Sequence, residues 1–234
     1  METVTIEGMQ AAYGRPEGEG PVPGIVVLHE AFGLTDDIRR IVERFVPEGY
    51  ATVAPNLYTP GLAPICIART VLDMARGGGG TIDRIGGVRQ WLADRPEVDE
   101  RRIGVIGFCM GGGFALAAAV RYDFQVASVN YGSVPGETAR LEGVCPVVAS
   151  YGEQDRRFLS HAGRLAASLE QLGVAHDVKV YPGVGHSFMN QGVPPWAGRL
   201  MRLGYDEDAA EDSWRRMLAF FRERLGLSPA PGAE

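Results

Sequence analysis

A cysteine lies in a short glycine-rich segment that has the residue pattern of a nucleophile turn. The segment Gly107-Phe108-Cys109-Met110-Gly111 follows an apolar run at 103–106 and precedes a run of small residues at 114–120. In a G-x-C-x-G turn the glycines let a strand bend sharply into a helix, which lifts the cysteine above the sheet edge. The partly positive start of a helix favours a thiolate, the nucleophilic form of cysteine. A glycine-rich turn with an inert buried cysteine is the alternative, since short motifs also occur by chance.

Two further residues have the types and the chain order that such a nucleophile needs. Asp155 follows the predicted strand 146–151, and His186 follows the predicted strand 178–181. An acid and then a histidine, each placed after a later strand, complete the nucleophile-turn arrangement. The carboxyl ends of parallel strands gather functional groups at one sheet edge. The sequence therefore predicts a Cys109–His186–Asp155 triad.

The segments that carry these residues alternate between strands and helices along the chain. This alternation, without a linker-like break, predicts an α/β fold with a mostly parallel central sheet flanked by helices on both faces. We expect one domain over residues 1–227 and a disordered tail at 228–234. The predicted strands are 25–29, 51–54, 103–107, 127–131, 146–151 and 177–181, after an edge strand or hairpin in 1–12, and the predicted helices are 36–46, 65–75, 82–93, 159–172 and 206–225.

Composition narrows the classes of function. The chain has 234 residues, a net charge of −6 and no long basic run, which argues against nucleic acid or an anionic membrane as partner. No apolar run approaches the roughly 20 residues that span a bilayer, and no signal peptide is visible. Three cysteines without CxxC spacing fit a reducing cytoplasm and predict no metal site. We expect a cytoplasmic protein without metal or cofactor.

Four segments of the chain resemble those of the dienelactone hydrolases, the cysteine-nucleophile branch of the α/β-hydrolase fold. The resemblance extends from about Val22 to Leu225. One departure is Asn56, which stands where the family commonly has Asp. The four segments are I-V-V-L-H-E-A-F-G-L at 25–34, G-Y-A…A-P-N-L-Y at 49–58, G-F-C-M-G-G at 107–112 and G-H-S-F at 185–188.

The resemblance implies a role for each polar residue of the site. Cys109 corresponds to the nucleophile, His186 to the general base and acid, and Asp155 to the group that orients the imidazole. Glu30 matches an additional carboxylate that pairs with the cysteine in the resting enzyme, which protects the thiolate from oxidation. A structural loop carboxylate is the alternative for Glu30.

The resemblance also implies an oxyanion hole and a substrate pocket. The backbone N–H groups of Met110 and Ala31 are the expected oxyanion donors. His29, next to Glu30, either tunes this loop or is a structural histidine. Asn190 stands where the family has an arginine for the substrate carboxylate, so a dienelactone is in doubt as substrate. The residues expected to line the pocket, with exposed aromatic rings among them, are Phe32, Tyr58, Arg69, Tyr131, Phe188, Asn190 and Trp196. For Tyr131 the alternative is a core aromatic residue without contact to substrate.

These observations predict a hydrolase that cleaves small esters or lactones through a thioester at Cys109. The expected partner is a small-molecule substrate, and the expected state is a monomer or small homo-oligomer. A general carboxylesterase or thioesterase without a lactone role is the alternative. A non-catalytic member that uses its thiol for binding or redox sensing is a further one.

Overall fold

The computed structural model describes residues 1–18, 20–58, 79–192 and 204–227. In these residues, the strands are β1 (Glu2–Ile6), β2 (Met9–Gly14), β3 (Val22–Leu28), β4 (Ala51–Pro55), β5 (Val98–Phe108), β6 (Val126–Asn130), β7 (Val147–Gly152) and β8 (His176–Tyr181). The α-helices there are α1 (Asp36–Phe45), α2 (Gly80–Ala93), α3 (Met110–Arg121), α4 (Leu159–Gln171) and α5 (Glu207–Leu225), and Thr138–Leu141 forms a 3₁₀ turn.

The strands form a single mixed sheet in the order β1-β2-β4-β3-β5-β6-β7-β8. Strands β1 and β2 are antiparallel to their neighbours, and β4, β3, β5, β6, β7 and β8 are parallel. The strand order reverses between β3 and β5, because β4 lies on one side of β3 and β5 on the other. At such a switch point the loops after the two strands diverge and leave a crevice, which is where open α/β sheets bind ligands.

The mostly parallel α/β fold predicted from the sequence is confirmed. Every predicted strand is present, and the edge strand or hairpin expected in 1–12 is the β1–β2 hairpin. The strand predicted at 103–107 is longer, because β5 begins at Val98 and continues through polar residues that face solvent. The predicted helix 65–75, the first two glycines of the 77–80 run and the predicted tail 228–234 lie outside the described residues.

Local chemistry explains where helices α1 and α5 begin. The Thr35 hydroxyl caps α1 by accepting from the Ile38 N–H, and Asp206 caps α5 by accepting from the Ala209 N–H. Phe45 of α1 packs on Trp214 of α5, with ring centroids 4.7 Å apart.

Helices α2 and α3 pack near the centre of the sheet. Helices α2 and α3 contact one another, and α3 packs on β5 and β6 at the centre of the sheet.

Among the described helices, none has the length and apolarity required to cross a membrane. Over the same residues, His, Cys, Asp and Glu side chains form no group of three that would suit a metal ion.

Candidate active site

Cys109 occupies a strained turn between the central strand β5 and helix α3. Its backbone has φ 54° and ψ −114°, an unusual conformation for a residue with a side chain. Two glycines allow this turn. A Cβ at Gly107 would collide with the carbonyl of Gly111, and a Cβ at Gly111 would collide with the carbonyls of Leu28 and His29. The close approach of strand, turn and helix therefore requires glycine at both positions.

His186 and Asp155 form a close pair beside this turn. The carboxylate Oδ2 of Asp155 lies 2.5 Å from Nδ1 of His186, and the two residues are 6 % and 9 % exposed. Asp155 follows β7 and His186 follows β8, so the parallel sheet brings both loops to the edge at which β5 ends. Because Nδ1 faces the carboxylate, Nε2 is the ring nitrogen left for Cys109.

The pKa of His186 reflects its interactions with both Asp155 and Cys109. Burial by itself lowers the pKa of His186. Hydrogen bonds to Asp155 and Cys109, together with the negative charges of these groups, outweigh burial and raise the pKa to about 9. The imidazole is therefore protonated at neutral pH, between a carboxylate and the sulfur. The structure thus brings Cys109, His186 and Asp155 together in the order the sequence predicts.

Glu30 lies at the end of β3, on the other side of the switch point, and is 2 % exposed. Its Oε2 accepts a 3.4 Å hydrogen bond from Ser187, and Oε1 has no hydrogen-bond partner in the described part of the chain. Burial and the nearby charge of Asp37 raise the pKa of Glu30 to about 7, although Ser187 and His186 oppose the shift. The structure therefore places Glu30 against Ser187, whereas Cys109 bonds to His186, and the resting Glu30–Cys109 pair stays a prediction.

We expect Glu30→Gln to stabilise the protein above neutral pH and to have little effect at pH 4. The folded state holds the Glu30 proton up to about pH 7, whereas the unfolded chain releases it near 4.5. Stability therefore falls as pH rises from 4.5 to 7, by about 3 kcal/mol in total at 1.36 kcal/mol per pKa unit. Urea unfolding at pH 4, 6 and 8 measures the difference. Glu43→Gln on the exposed face of α1 is the matched control, and a Glu30→Gln difference that does not vary with pH would refute the expectation.

Tyr131, Asn190 and Asp37 form a buried polar chain next to the histidine. Tyr131 follows β6, is fully buried, and has its ring 5.0 Å from the ring of His186. Its hydroxyl donates to the side-chain oxygen of Asn190, whose NH₂ group donates to Asp37 over 2.8 Å. Arg40 pairs with Asp37 over 2.8 Å. Asn190 is 0 % exposed, so its amide is engaged inside the protein, and the substrate contact predicted for it stays a prediction.

The residues expected around the pocket, apart from Tyr131 and Asn190, divide into three groups. Phe32 is 39 % exposed and Tyr58 is half-buried, as expected of pocket aromatics. The expectation of an exposed ring is wrong for Phe188, which is fully buried because it packs between Tyr131 and Tyr181 at 5.4 and 5.1 Å. Arg69 and Trp196 lie outside the described residues.

The two predicted oxyanion donors belong to loops that meet at the switch point. Met110 is the first residue of α3, where backbone N–H groups have no acceptor within the helix. Ala31 follows Glu30 after β3, and its carbonyl accepts a 2.8 Å hydrogen bond from Tyr58. The Tyr58 hydroxyl also lies 4.0 Å from the Met110 sulfur, so Tyr58 contacts both loops.

Three residues near the site were missed by the sequence reasoning. Phe158 stacks on His186 with ring centroids 5.1 Å apart. Its position three residues after Asp155 is the sequence feature that could have indicated this contact. Ser187, in the G-H-S-F segment, contacts Glu30. Asp37 is explained in sequence as a favourable charge in a first helical turn, and nothing in the pattern shows that it accepts from Asn190 and raises the pKa of Glu30. Like Cys109, Ser187 and Tyr131 have positive φ, and these three are among four such non-glycine residues in the described chain, a clustering typical of functional sites.

The sheet order, the strained cysteine turn and the histidine–carboxylate pair define an α/β-hydrolase. Solved structures agree with this assignment. A "Putative Dienelactone Hydrolase" from Klebsiella pneumoniae is similar with a TM-score of 0.77, 26% identity and coverage of 95% of this chain and 98% of the other. The dienelactone hydrolase-like promiscuous phosphotriesterase P91 from metagenomic libraries has a TM-score of 0.80, with 24% identity over 95% and 97% of the two chains, and supports the fold alone.

Sequence comparison identifies the family. The sequence model of the dienelactone hydrolase family matches residues 9–225. A "Putative carboxymethylenebutenolidase" from Salmonella typhimurium is 29% identical over 238 residues, covering 94% of this chain and 84% of the relative. The chain therefore belongs to the dienelactone hydrolase family. The predicted assignment to the carboxylic ester hydrolases is confirmed at this level.

Proposed function

We propose that this protein hydrolyses small uncharged esters or lactones through a thioester on Cys109. The observation that carries the proposal is the position of His186, which contacts Asp155 through Nδ1 and Cys109 on its other side. A nucleophile, a base and a group that orients the base, in mutual contact, are the requirements of covalent acyl transfer. The proposed mechanism follows from these contacts.

In the first half-reaction the Cys109 thiolate attacks the carbonyl carbon of the ester. The carbonyl oxygen becomes negative, and the backbone N–H groups of Met110 and Ala31 stabilise it. The tetrahedral intermediate collapses when the C–O bond breaks and the leaving oxygen takes the proton of His186. The raised pKa of His186 suits this step, because the imidazole holds that proton at neutral pH.

In the second half-reaction water cleaves the thioester. His186, now neutral, removes a proton from the water, and the resulting hydroxide attacks the thioester carbonyl. Collapse of this intermediate expels the Cys109 thiolate and leaves His186 protonated again. Asp155 holds the ring in one orientation through both steps and stabilises its positive charge.

The charges around the site favour an uncharged substrate. Glu30 and Cys109 both act electrostatically on Tyr58 and on Tyr131, so the carboxylate and the sulfur are near the same rings. Asp37 adds a second buried carboxylate, and its charge is partly balanced by Arg40. Asn190, which is neutral, stands where the resemblance implies a carboxylate-binding arginine. The positive charge of His186 is already shared between Asp155 and Cys109. A substrate carboxylate would thus meet the charges of Cys109, Glu30 and Asp37 and, in the described part of the site, no replacement for that arginine.

We expect a neutral lactone to be cleaved with about 10- to 100-fold higher kcat/KM than its carboxylate analogue. A carboxylate that binds without an arginine loses its water and gains no charged partner, and an unsatisfied buried polar group costs about 1–3 kcal/mol, more when it is charged, which corresponds to roughly this factor. The measurement compares one lactone as its free carboxylate and as its methyl amide, so that ring strain and leaving group are matched. A preference of more than tenfold for the carboxylate form would contradict the proposed substrate class.

A panel of lactones, aryl esters and acyl thioesters separates the alternatives. High kcat/KM for lactones supports a lactonase, and turnover restricted to open-chain esters or thioesters supports the general carboxylesterase or thioesterase. No turnover in the whole panel, with a reactive Cys109, would leave the non-catalytic thiol function.

A further inference from the structure

The imidazole of His29 joins two loops at the switch point through backbone hydrogen bonds. His29 is fully buried. Its Nε2 lies 3.0 Å from the N–H of Leu57, and its Nδ1 lies 2.6 Å from the carbonyl oxygen of Glu30. A backbone N–H can only donate, so Nε2 must be the acceptor and the ring proton must reside on Nδ1. Burial lowers the pKa of His29 to about 4, which is consistent with a neutral ring at physiological pH.

The Glu30 carbonyl that His29 holds belongs to the same peptide unit as the N–H of Ala31. A trans peptide is planar, and its C=O and N–H point in opposite directions. Fixing the direction of the Glu30 carbonyl therefore fixes the direction of the Ala31 N–H. The Gly33 N–H also donates to this carbonyl over 3.2 Å, and the Tyr58 hydroxyl holds the carbonyl of Ala31 over 2.8 Å. The 57–58 segment thus fixes two successive peptides. Leu57 anchors the His29 ring, which holds the Glu30 carbonyl, and Tyr58 holds the Ala31 carbonyl.

We infer that neutral His29 is a positioning residue that orients the Glu30–Ala31 peptide so that the Ala31 N–H faces the reacting carbonyl oxygen. This inference rests on the proposed function, in which that N–H is one of two oxyanion donors. Preorganised donors stabilise charge that develops only in the transition state. Loss of the orientation should therefore lower kcat and leave KM nearly unchanged.

The decisive comparison is between His29→Leu and His29→Gln. Leucine fills the cavity but removes both hydrogen bonds, whereas a glutamine amide carries one donor and one acceptor with a spacing close to that of the two ring nitrogens. We expect kcat for a neutral aryl ester to fall about 10- to 100-fold in His29→Leu, because removal of one oxyanion donor costs roughly 100- to 1000-fold and misorientation costs part of that. His29→Gln should recover most of the loss.

Two controls separate positioning from stability. Val88→Ala opens a cavity at a fully buried position of α2, a helix that carries none of the site residues, so it should lower the melting temperature and leave kcat unchanged. The ring-nitrogen NMR signals of His29 in the wild type should show the neutral Nδ1–H form at pH 7, a readout that requires no variant to fold.

Three results would overturn the inference about His29. An Nε2–H form or a charged ring in the wild type, or a His29→Leu variant with full kcat, would overturn it. A glutamine variant as inactive as leucine would also overturn it, because the two hydrogen bonds would then not account for the effect. The proposed function itself fails in a different experiment, in which Cys109→Ala remains active.

Discussion

Cys109→Ala is expected to reduce kcat/KM for ester hydrolysis by more than about 1000-fold, since removal of a covalent nucleophile usually costs several orders of magnitude. The fold should be retained, because the cysteine is half-buried and alanine is smaller. A second readout is the pKa of His186, which should fall below about 9, since the hydrogen bond and charge of Cys109 contribute to raising it. Turnover of p-nitrophenyl acetate and the NMR titration of His186 measure the two effects.

Cys145→Ala is the matched control for this experiment. Cys145 is the other free cysteine of the described chain, and burial raises the pKa of its thiol to about 12. It is therefore a neutral thiol at physiological pH, and its removal should leave turnover unchanged. If Cys109→Ala kept more than about one hundredth of the wild-type turnover, another group would have to be the nucleophile.

Gly107→Ala is expected to destabilise the protein by more than about 3 kcal/mol and to abolish turnover. The added Cβ would collide with the carbonyl of Gly111 and the backbone N of Gly112. Overpacking usually costs about 1–3 kcal/mol when side chains can move aside. Here the obstacle is backbone in the first turn of α3, so relief requires the strand or the helix to move, and the Cys109 turn moves with them.

Gly163→Ala is the control for the glycine substitution. Gly163 lies on the exposed side of α4, and a Cβ there meets no atom of the described protein within 4 Å. Alanine should stabilise this position by about 0.5–1 kcal/mol, because glycine loses more chain entropy in a helix. Chemical unfolding of both variants gives the comparison, and two alanine variants of equal stability would contradict the steric explanation of the turn.

The proposed triad could be located from the sequence because chain order and strand ends indicate its residues. Cys109, Asp155 and His186 each follow an apolar run of strand length, and parallel strands bring their carboxyl ends to one edge regardless of the details of packing. The resemblance added Glu30 and the two oxyanion donors, which lie in loops with little periodicity. Pattern alone would have left these three unassigned.

The environment of the site was not accessible, because it depends on which side chains approach from distant parts of the chain. Asn190 contacts Asp37, 153 residues away, and Ser187 contacts Glu30, 157 residues away. Sequence reasoning placed Asp37 on a helix start and Phe188 in an exposed loop. Neither position reveals what packs against the side chain, and for Phe188 the answer was Tyr131 and Tyr181.

The sequence by itself determined the α/β fold class, the positions of most described elements and the three residues proposed as the triad. These follow from apolar periodicity, glycine positions and chain order, which are local properties. Only the tertiary structure decided the raised pKa of Glu30, the tautomer of His29, the engagement of Asn190 and the contact of Phe158 with His186. These properties are set by burial and by neighbours across loops, so they exist only once the loops after β3, β5, β7 and β8 have been brought together.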